Sequence, residues 1–249
     1  SLAACGALVD YVALTQKGKL PHLAPPRPVV VGATLAIDAA TRRNLELTTS
    51  LSGERRGSVL GIIDRTVTGA GGRLLLVRLA APLTDAGAIN ARLDGVAFFV
   101  EQPGLRERLR TGLKRTPDIE RSLSRLTVGR GGPRDLAVIR DGLAGVPDLR
   151  TLVETAETSL GLPEAVADSL GALGQHVSLT DRLTAALVAE PGLLTRDGNF
   201  IAKGYTSQLD ELVALRDESR RFVLDLESQY RNETGVGSLK IRHNNVLGY

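Results

Sequence analysis

Residues 206–235 read TSQLDELVALRDESRRFVLDLESQYRNETG, and the reading of this stretch decides the fold. Gly204-Tyr205 breaks local order just before it. Ser207-x-x-Asp210 offers a capping-box-like start, a hydroxyl for an orphan N–H and an acid near the positive end of the helix. Gly235 supplies a left-handed stop. Between them Leu209, Leu212, Arg216, Ser219, Val223, Leu226 and Tyr230 recur at the spacing of one helix face. Asp217 precedes Arg221 by four residues, an order that favours helix. At 1.5 Å per residue such a rod is roughly 43 Å long. A rod of that length links two places more readily than it surrounds a pocket. The plainer reading is a long helix in a bundle.

The residues after the rod sharpen the reading. Leu239-Lys240-Ile241-Arg242-His243 alternates apolar and polar, which is strand periodicity. The chain then runs through Val246-Leu247 to Tyr249. A rod that passes into a strand has the look of a junction between two domains.

Composition bounds the rest. The 249 residues suffice for one large or two modest domains. Hydrophobic residues are 43% but aromatics only 3%, so the core must be aliphatic. Leu and Ala with Arg and Glu form a helix-rich palette. A net charge of +3 does not announce a nucleic-acid binder. The lone Cys5 excludes an internal disulfide and fits a reducing, cytoplasmic setting. No stretch has the run of uncharged apolar residues that a membrane span needs. Met is absent, which points to an internal piece of a longer protein.

Upstream of the rod the pattern is mainly α. Leu2, Cys5, Leu8, Val9 and Val12 keep helical spacing over residues 1–15. Pro21, Pro25, Pro26 and Pro28 mark a connecting segment with extended character at Val29-Val30-Val31. Asp38 reads as the N-cap of a helix through Leu47. Helices are expected over 57–68, 72–80 and 85–100, the last carrying Ile89, Leu93, Val96 and Val100 in 4-3-4 spacing. Thr116-Pro117 reads as an N-cap and first helical residue. Gly131-Gly132-Pro133 opens another helix, with weaker ones near 148–157, 163–173 and 178–189. Asp197-Gly198 suggests a small hairpin between Leu193-Leu194 and Phe200-Ile201.

Chemical motifs are scarce. Gly69-Ala70-Gly71-Gly72-Arg73 is the tightest glycine cluster, but it lacks the spacing of a phosphate loop and reads as a sharp turn between helices. His22, His176 and His243 are scattered without metal-ligand spacing. No nucleophile-elbow pattern occurs. The acid pairs Asp210-Glu211 and Asp217-Glu218 read as solvated helix faces. Arg106, Arg108, Arg110, Lys114 and Arg115 form the densest basic run; without interleaved aromatics it reads as a solvated helix rather than a phosphate contact. Lys240, Arg242 and His243 would give the terminal strand a positive face suited to phosphate contact without base reading.

Asp38-Ala-Ala-Thr-Arg-Arg-Asn-Leu-Glu-Leu47, Asp64-Arg-Thr-Val-Thr68, Gly72-Arg-Leu-Leu75 with Pro82-Leu83, Asp118-Ile-Glu-Arg121, Pro133-Arg-Asp-Leu136, Arg196-Asp-Gly198 and Ile201-Ala-Lys-Gly-Tyr205 form an ordered set of motifs. The set resembles the central region of the bacterial DNA mismatch-repair family MutS. The closing run from Leu239 to Tyr249 looks like the opening of that family's clamp. One departure is Arg78, where the family commonly carries a tryptophan.

The resemblance implies a mainly α, multi-helix lever/core domain whose long C-terminal helix leads into a truncated β clamp. Residues 1–25 correspond to the end of a connector and its linker, 26–238 to the lever/core and 239–249 to the first clamp strand. The full-length family recognises mismatched duplex DNA, binds ATP and Mg, forms homodimers and works with a MutL-type repair partner. Neither the mismatch-reading nor the nucleotide-binding motif occurs here, so no catalytic, cofactor-binding or metal residue is carried over, and no ATP hydrolysis or membrane association is expected. Lys240 and Arg242 are carried as DNA-backbone candidates. At most weak, salt-sensitive duplex binding without mismatch preference is expected, with Leu212, Val223 and Leu226 exposed and a tendency to self-associate. The rival from another class is a free-standing helical scaffold that docks protein partners. An enzyme with an unrecognised site has only scattered polar residues behind it.

Overall fold

In a computed structural model of the chain, residues 2–16, 23, 25–26, 32–156 and 161–242 are described, at 220 the backbone alone. The expected extended run Val29-Val30-Val31, His22 and everything from His243 to Tyr249 lie outside them. The described residues fall into two compact units, divided between Phe200 and Ile201.

The first unit holds eleven α-helices among its described residues: α1 (Leu2–Thr15), α2 (Ala39–Asn44), α3 (Val59–Ile63), α4 (Gly69–Ala80), α5 (Ala86–Glu101), α6 (Pro103–Arg115), α7 (Ile119–Thr127), α8 (Pro133–Ala144), α9 (Val146–Glu154), α10 (Glu164–Ala172) and α11 (Val177–Ala186). Short polar side chains start several of them. The oxygens of Asp38, Ser58, Thr68, Asp85 and Asp118 each accept the backbone N–H three residues on. At α8 the Asp135 carboxylate reaches back to the Gly132 N–H at 3.0 Å, and Pro133 occupies the first turn.

The core is small and aliphatic, with one aromatic corner. Phe98 of α5, Leu105 of α6, Val153 of α9 and Val166 and Leu170 of α10 form its buried cluster. Phe98 and Phe99 meet edge to face at 4.9 Å between centroids. Elsewhere polar ties join elements. Arg140 of α8 donates to the carbonyls of Val188 and Ala189 at 3.0 and 2.9 Å, fixing the segment after α11. Arg125 of α7 binds Asp135 and, at 3.0 Å, the Ser122 hydroxyl, which is itself buried. Leu35 N–H donates to the Pro82 carbonyl at 2.8 Å beside an isolated antiparallel bridge between Thr34 and Leu83.

The second unit is dominated by α12 (Ser207–Thr234), a 28-residue helix about 42 Å long. Gly235 ends it at φ 70°, and its N–H caps the Arg231 carbonyl. Thr206 is the N-cap but its side chain makes no cap bond; Asp210 instead accepts the Gly204 N–H at 2.8 Å. The start is therefore fixed by one acid reaching backwards, not by the expected reciprocal box.

Several expectations are corrected. Residues 57–68 form only one turn and a half, because Asp64 takes the N–H and hydroxyl of Thr66 and turns the chain out of the helix. Gly69–Gly72 does not link two helices; it is the first turn of α4, capped by Thr68. Thr116 closes α6, and Asp118 is the N-cap of α7. No hairpin forms about Asp197-Gly198: a single 3-10 turn (Thr195–Asp197) lies there, and Phe200 accepts from Val188 rather than facing Leu193-Leu194. The helix expected over 85–100 forms as α5; its 4-3-4 stripe Ile89, Leu93, Val96 and Val100 is exposed, and the residue it buries is Phe98. Leu239–Arg242, expected to begin a strand, has irregular backbone. Leu212 is exposed as expected, whereas Val223 and Leu226 are half-buried.

Candidate nucleic-acid interface

The candidate interface is the segment that leaves α12. Gly235 turns the chain, Leu239 N–H closes the turn on the Val236 carbonyl at 3.1 Å, and the chain doubles back beside the last two turns of the helix. Two helical side chains hold it there. The Arg231 guanidinium donates from Nε to the Leu239 carbonyl at 2.7 Å. Glu227 accepts the Ile241 N–H on Oε2 at 2.9 Å. The two also bind each other, Arg231 Nη2 to Glu227 Oε1, in an i,i+4 pair. Both oxygens of Glu227 are thus used, and that side chain is only 13% exposed. Charge-assisted bonds of this kind are roughly twice as strong as neutral ones.

Lys240 and Arg242 ride on this anchored segment. Both are exposed, and neither makes an ion pair with another described residue. The backbone between them is pinned at Ile241 while their charges face water. Two cations on a fixed backbone can meet phosphate without ordering cost in the main chain. Sequence reasoning chose these two and missed Glu227 and Arg231. The signal for the missed pair was an acid four residues before a base on one helix face.

The other basic run contributes little. Arg106 donates to the Phe99 carbonyl at 2.9 Å and so closes the end of α5. Arg108 and Arg115 line a cleft of about 520 Å³ that also holds Asp141 and Asp148, which offset their charge. His176 sits exposed at the start of α11, while His22 and His243 lie outside the described residues. Among the described residues no three His, Cys, Asp or Glu side chains form a group able to hold a metal ion. No helix among them is long and apolar enough to cross a membrane.

This arrangement, one unit of short helices and a second carrying a long helix that ends in an anchored basic segment, defines a multi-helix, all-α class of domain. The family model described as MutS domain III matches residues 40–236. The chain is 52% identical over 248 residues to a protein of Cereibacter sphaeroides called DNA mismatch repair protein MutS. Proteins of the same name from Roseobacter denitrificans and Paracoccus denitrificans are 50% and 52% identical over the same length. The chain belongs to the MutS family of DNA mismatch repair proteins and corresponds to its domain III. All of the chain is covered, and it spans 28% of each of these relatives.

Proposed function

We propose that this chain is the lever of a mismatch-recognition protein, carrying motion between an ATPase domain and a clamp that grips mismatched duplex DNA. On this reading residues 1–25 end a connector, 26–238 form the lever and core, and 239–249 open the clamp. ATP and Mg belong to a nucleotide-binding domain, a homodimer supplies two such levers, and a MutL-type protein is the downstream partner, all in the cytoplasm. The lever itself carries no catalytic residue.

The observation behind it is α12 with its latch. An uninterrupted helix transmits rotation with little bending, because sharp kinks need proline, glycine pairs or inserted groups. Neither proline nor glycine occurs within 207–234. Glu227 and Arg231 then join the exit segment to the helix end, so displacement of the tip moves Lys240 and Arg242 with it. Coupling needs a two-state element with different contacts at its two ends, and a stiff rod fixed to its load supplies the mechanical part.

The test is a chimera in which this segment replaces its counterpart in the Cereibacter sphaeroides relative. The chimera should bind a mismatched duplex and release it on ATP addition. Ser219→Pro in mid-helix removes an intrahelical bond and kinks the rod. It should leave basal hydrolysis in place and abolish ATP-driven release. Release at the unsubstituted rate would overturn the lever reading.

A further inference from the structure

A rod needs a root as well as a tip. Ile201 is the first residue of the unit that carries α12, and Phe200 is the last of the unit before it. The Phe200 carbonyl accepts the Val188 N–H at 3.0 Å, which closes the loop 188–200 at a neck. Val188 is held in turn from its other side. Its carbonyl accepts from Arg140 Nη1 at 3.0 Å, and the next carbonyl, of Ala189, accepts from Nη2 at 2.9 Å. Nε of the same guanidinium meets Asp141 at 2.7 Å. A continuous line of bonds therefore runs from α8 through Arg140 and Val188 to Phe200, one residue short of the rod's own unit.

The chemistry of the grip is specific to arginine. All three guanidinium nitrogens are engaged, and the side chain is only 11% exposed. A planar fork with fixed donor directions can hold two successive carbonyls and a carboxylate together, which the point charge of an ammonium cannot. Leu187 and Pro191 are buried on either side of the gripped carbonyls, whereas residues 192–197 are exposed. The neck is thus the fixed part of the loop. Directional bonds are either made or broken, and an element with two discrete arrangements is what coupling between distant sites requires.

We propose that Arg140 is a positioning residue that fastens the root of the rod to α8, so that motion passes between the helical unit and α12 and is not absorbed by the 188–200 loop. This role rests on the lever reading above and adds to it the point at which the rod is fixed.

The chimera described above carries the test, with three variants. Arg140→Met keeps the stem and removes every donor. Arg140→Lys keeps the charge and loses the fork. Val188→Pro leaves Arg140 alone and deletes the N–H that holds Phe200; Leu187, at φ −106° and ψ 144°, already has the extended backbone that a following proline demands. Hydrogen exchange over 187–200 should quicken about tenfold or more in Arg140→Met, as expected when bonds to a charged donor are lost. Exchange over α8 should not change. Mismatch binding without ATP and basal hydrolysis should persist in all three, while ATP-driven release slows about tenfold, within the range of ordinary coupling energies. Unaltered exchange over 187–200 in Arg140→Met would overturn the fastening whatever the rod does. Faster exchange throughout α8 in both Arg140 variants would reduce Arg140 to a stabilising residue and also overturn it. Release that stalls in Ser219→Pro but runs normally in the three variants would leave the lever standing and remove its root from Arg140. Release unchanged in Ser219→Pro and in all three variants would end the lever reading and this role with it.

Discussion

Arg73 and Asp118 face each other as a two-pronged pair, Nη1 to Oδ2 and Nη2 to Oδ1, both at 2.8 Å. Arg73 also reaches Glu120 at 2.7 Å. The pair joins α4 to the start of α7 across 45 residues of sequence. Asp118 serves both elements, since its Oδ1 also accepts the Arg121 N–H as the cap of α7. Gly69 permits the approach: a Cβ there would stand 2.9 Å from Asp118 Oδ2. The glycine cluster thus works by what it leaves out, room for a carboxylate beside the first turn of α4.

The pair makes stability depend on pH in acid. The Arg73 guanidinium, then the Arg121 N–H, hold the Asp118 pKa at about 2 against an ordinary 3.8. A carboxyl depressed in the folded state contributes its full stabilisation above the unfolded pKa and loses it as pH falls through the folded one. The gap in melting temperature between the native chain and Asp118→Asn should therefore be full above about pH 4 and close toward pH 2. Asn caps a helix nearly as well as Asp, so the substitution isolates the ion pair. A gap that stays constant from pH 5 to pH 2 would show that the pair does not tune stability.

Two glycines should answer oppositely to alanine. Gly104 lies in the first turn of α6, and a Cβ there meets nothing within 4 Å. Gly104→Ala should stabilise by about 0.4–1 kcal/mol through the unfolded chain. Gly132 is the N-cap of α8, and a Cβ there would stand 2.3 Å from the Leu193 carbonyl oxygen, which is backbone. Gly132→Ala should cost about 1–3 kcal/mol as that loop is pushed aside. Urea titrations of both variants read the two signs directly.

Features set by local residues were legible in the sequence. Helix starts at Asp38 and Pro133 and the stop at Gly235 depend on residues within one turn, and they stand where the pattern put them. The long helix was legible for the same reason. The α5 helix was legible too, but not the side it buries, because 4-3-4 spacing states that a face is apolar and not what covers it. The strand at Leu239 misled in a related way. Alternation needs a neighbouring strand to become a ladder, and here Glu227 and Arg231 take the backbone groups first. Arg73 with Asp118 was beyond reach, since nothing local joins residues that far apart.

The latch gives a prediction at single-residue resolution. Glu227→Ala removes the acceptor of the Ile241 N–H and the partner of Arg231. Amide exchange at Ile241 should accelerate about tenfold or more, the ratio expected when a charge-assisted bond of about 1.5–3 kcal/mol is lost. Exchange in the middle of α12 should not change, because the helix needs nothing from the exit segment. Unaltered exchange at Ile241 would mean that the segment is held by something other than this side chain.

Charge removal on the exit segment tests the phosphate contact. Each phosphate neutralised contributes a slope of about 0.9 to the fall of log affinity with log salt on duplex DNA. If Lys240 and Arg242 each meet one phosphate, Lys240→Gln/Arg242→Gln should lower that slope by roughly 1.8. Binding should weaken by the same factor on matched and mismatched duplexes, since backbone contacts position without reading sequence. The same pair of substitutions made on α6, Arg108→Gln/Arg110→Gln, should leave the slope nearly unchanged. Arg108 already shares its cleft with Asp141 and Asp148, and Arg110 is half-buried. A slope that falls with the α6 pair and not with Lys240 and Arg242 would move the interface from the tip of the rod to the helical core.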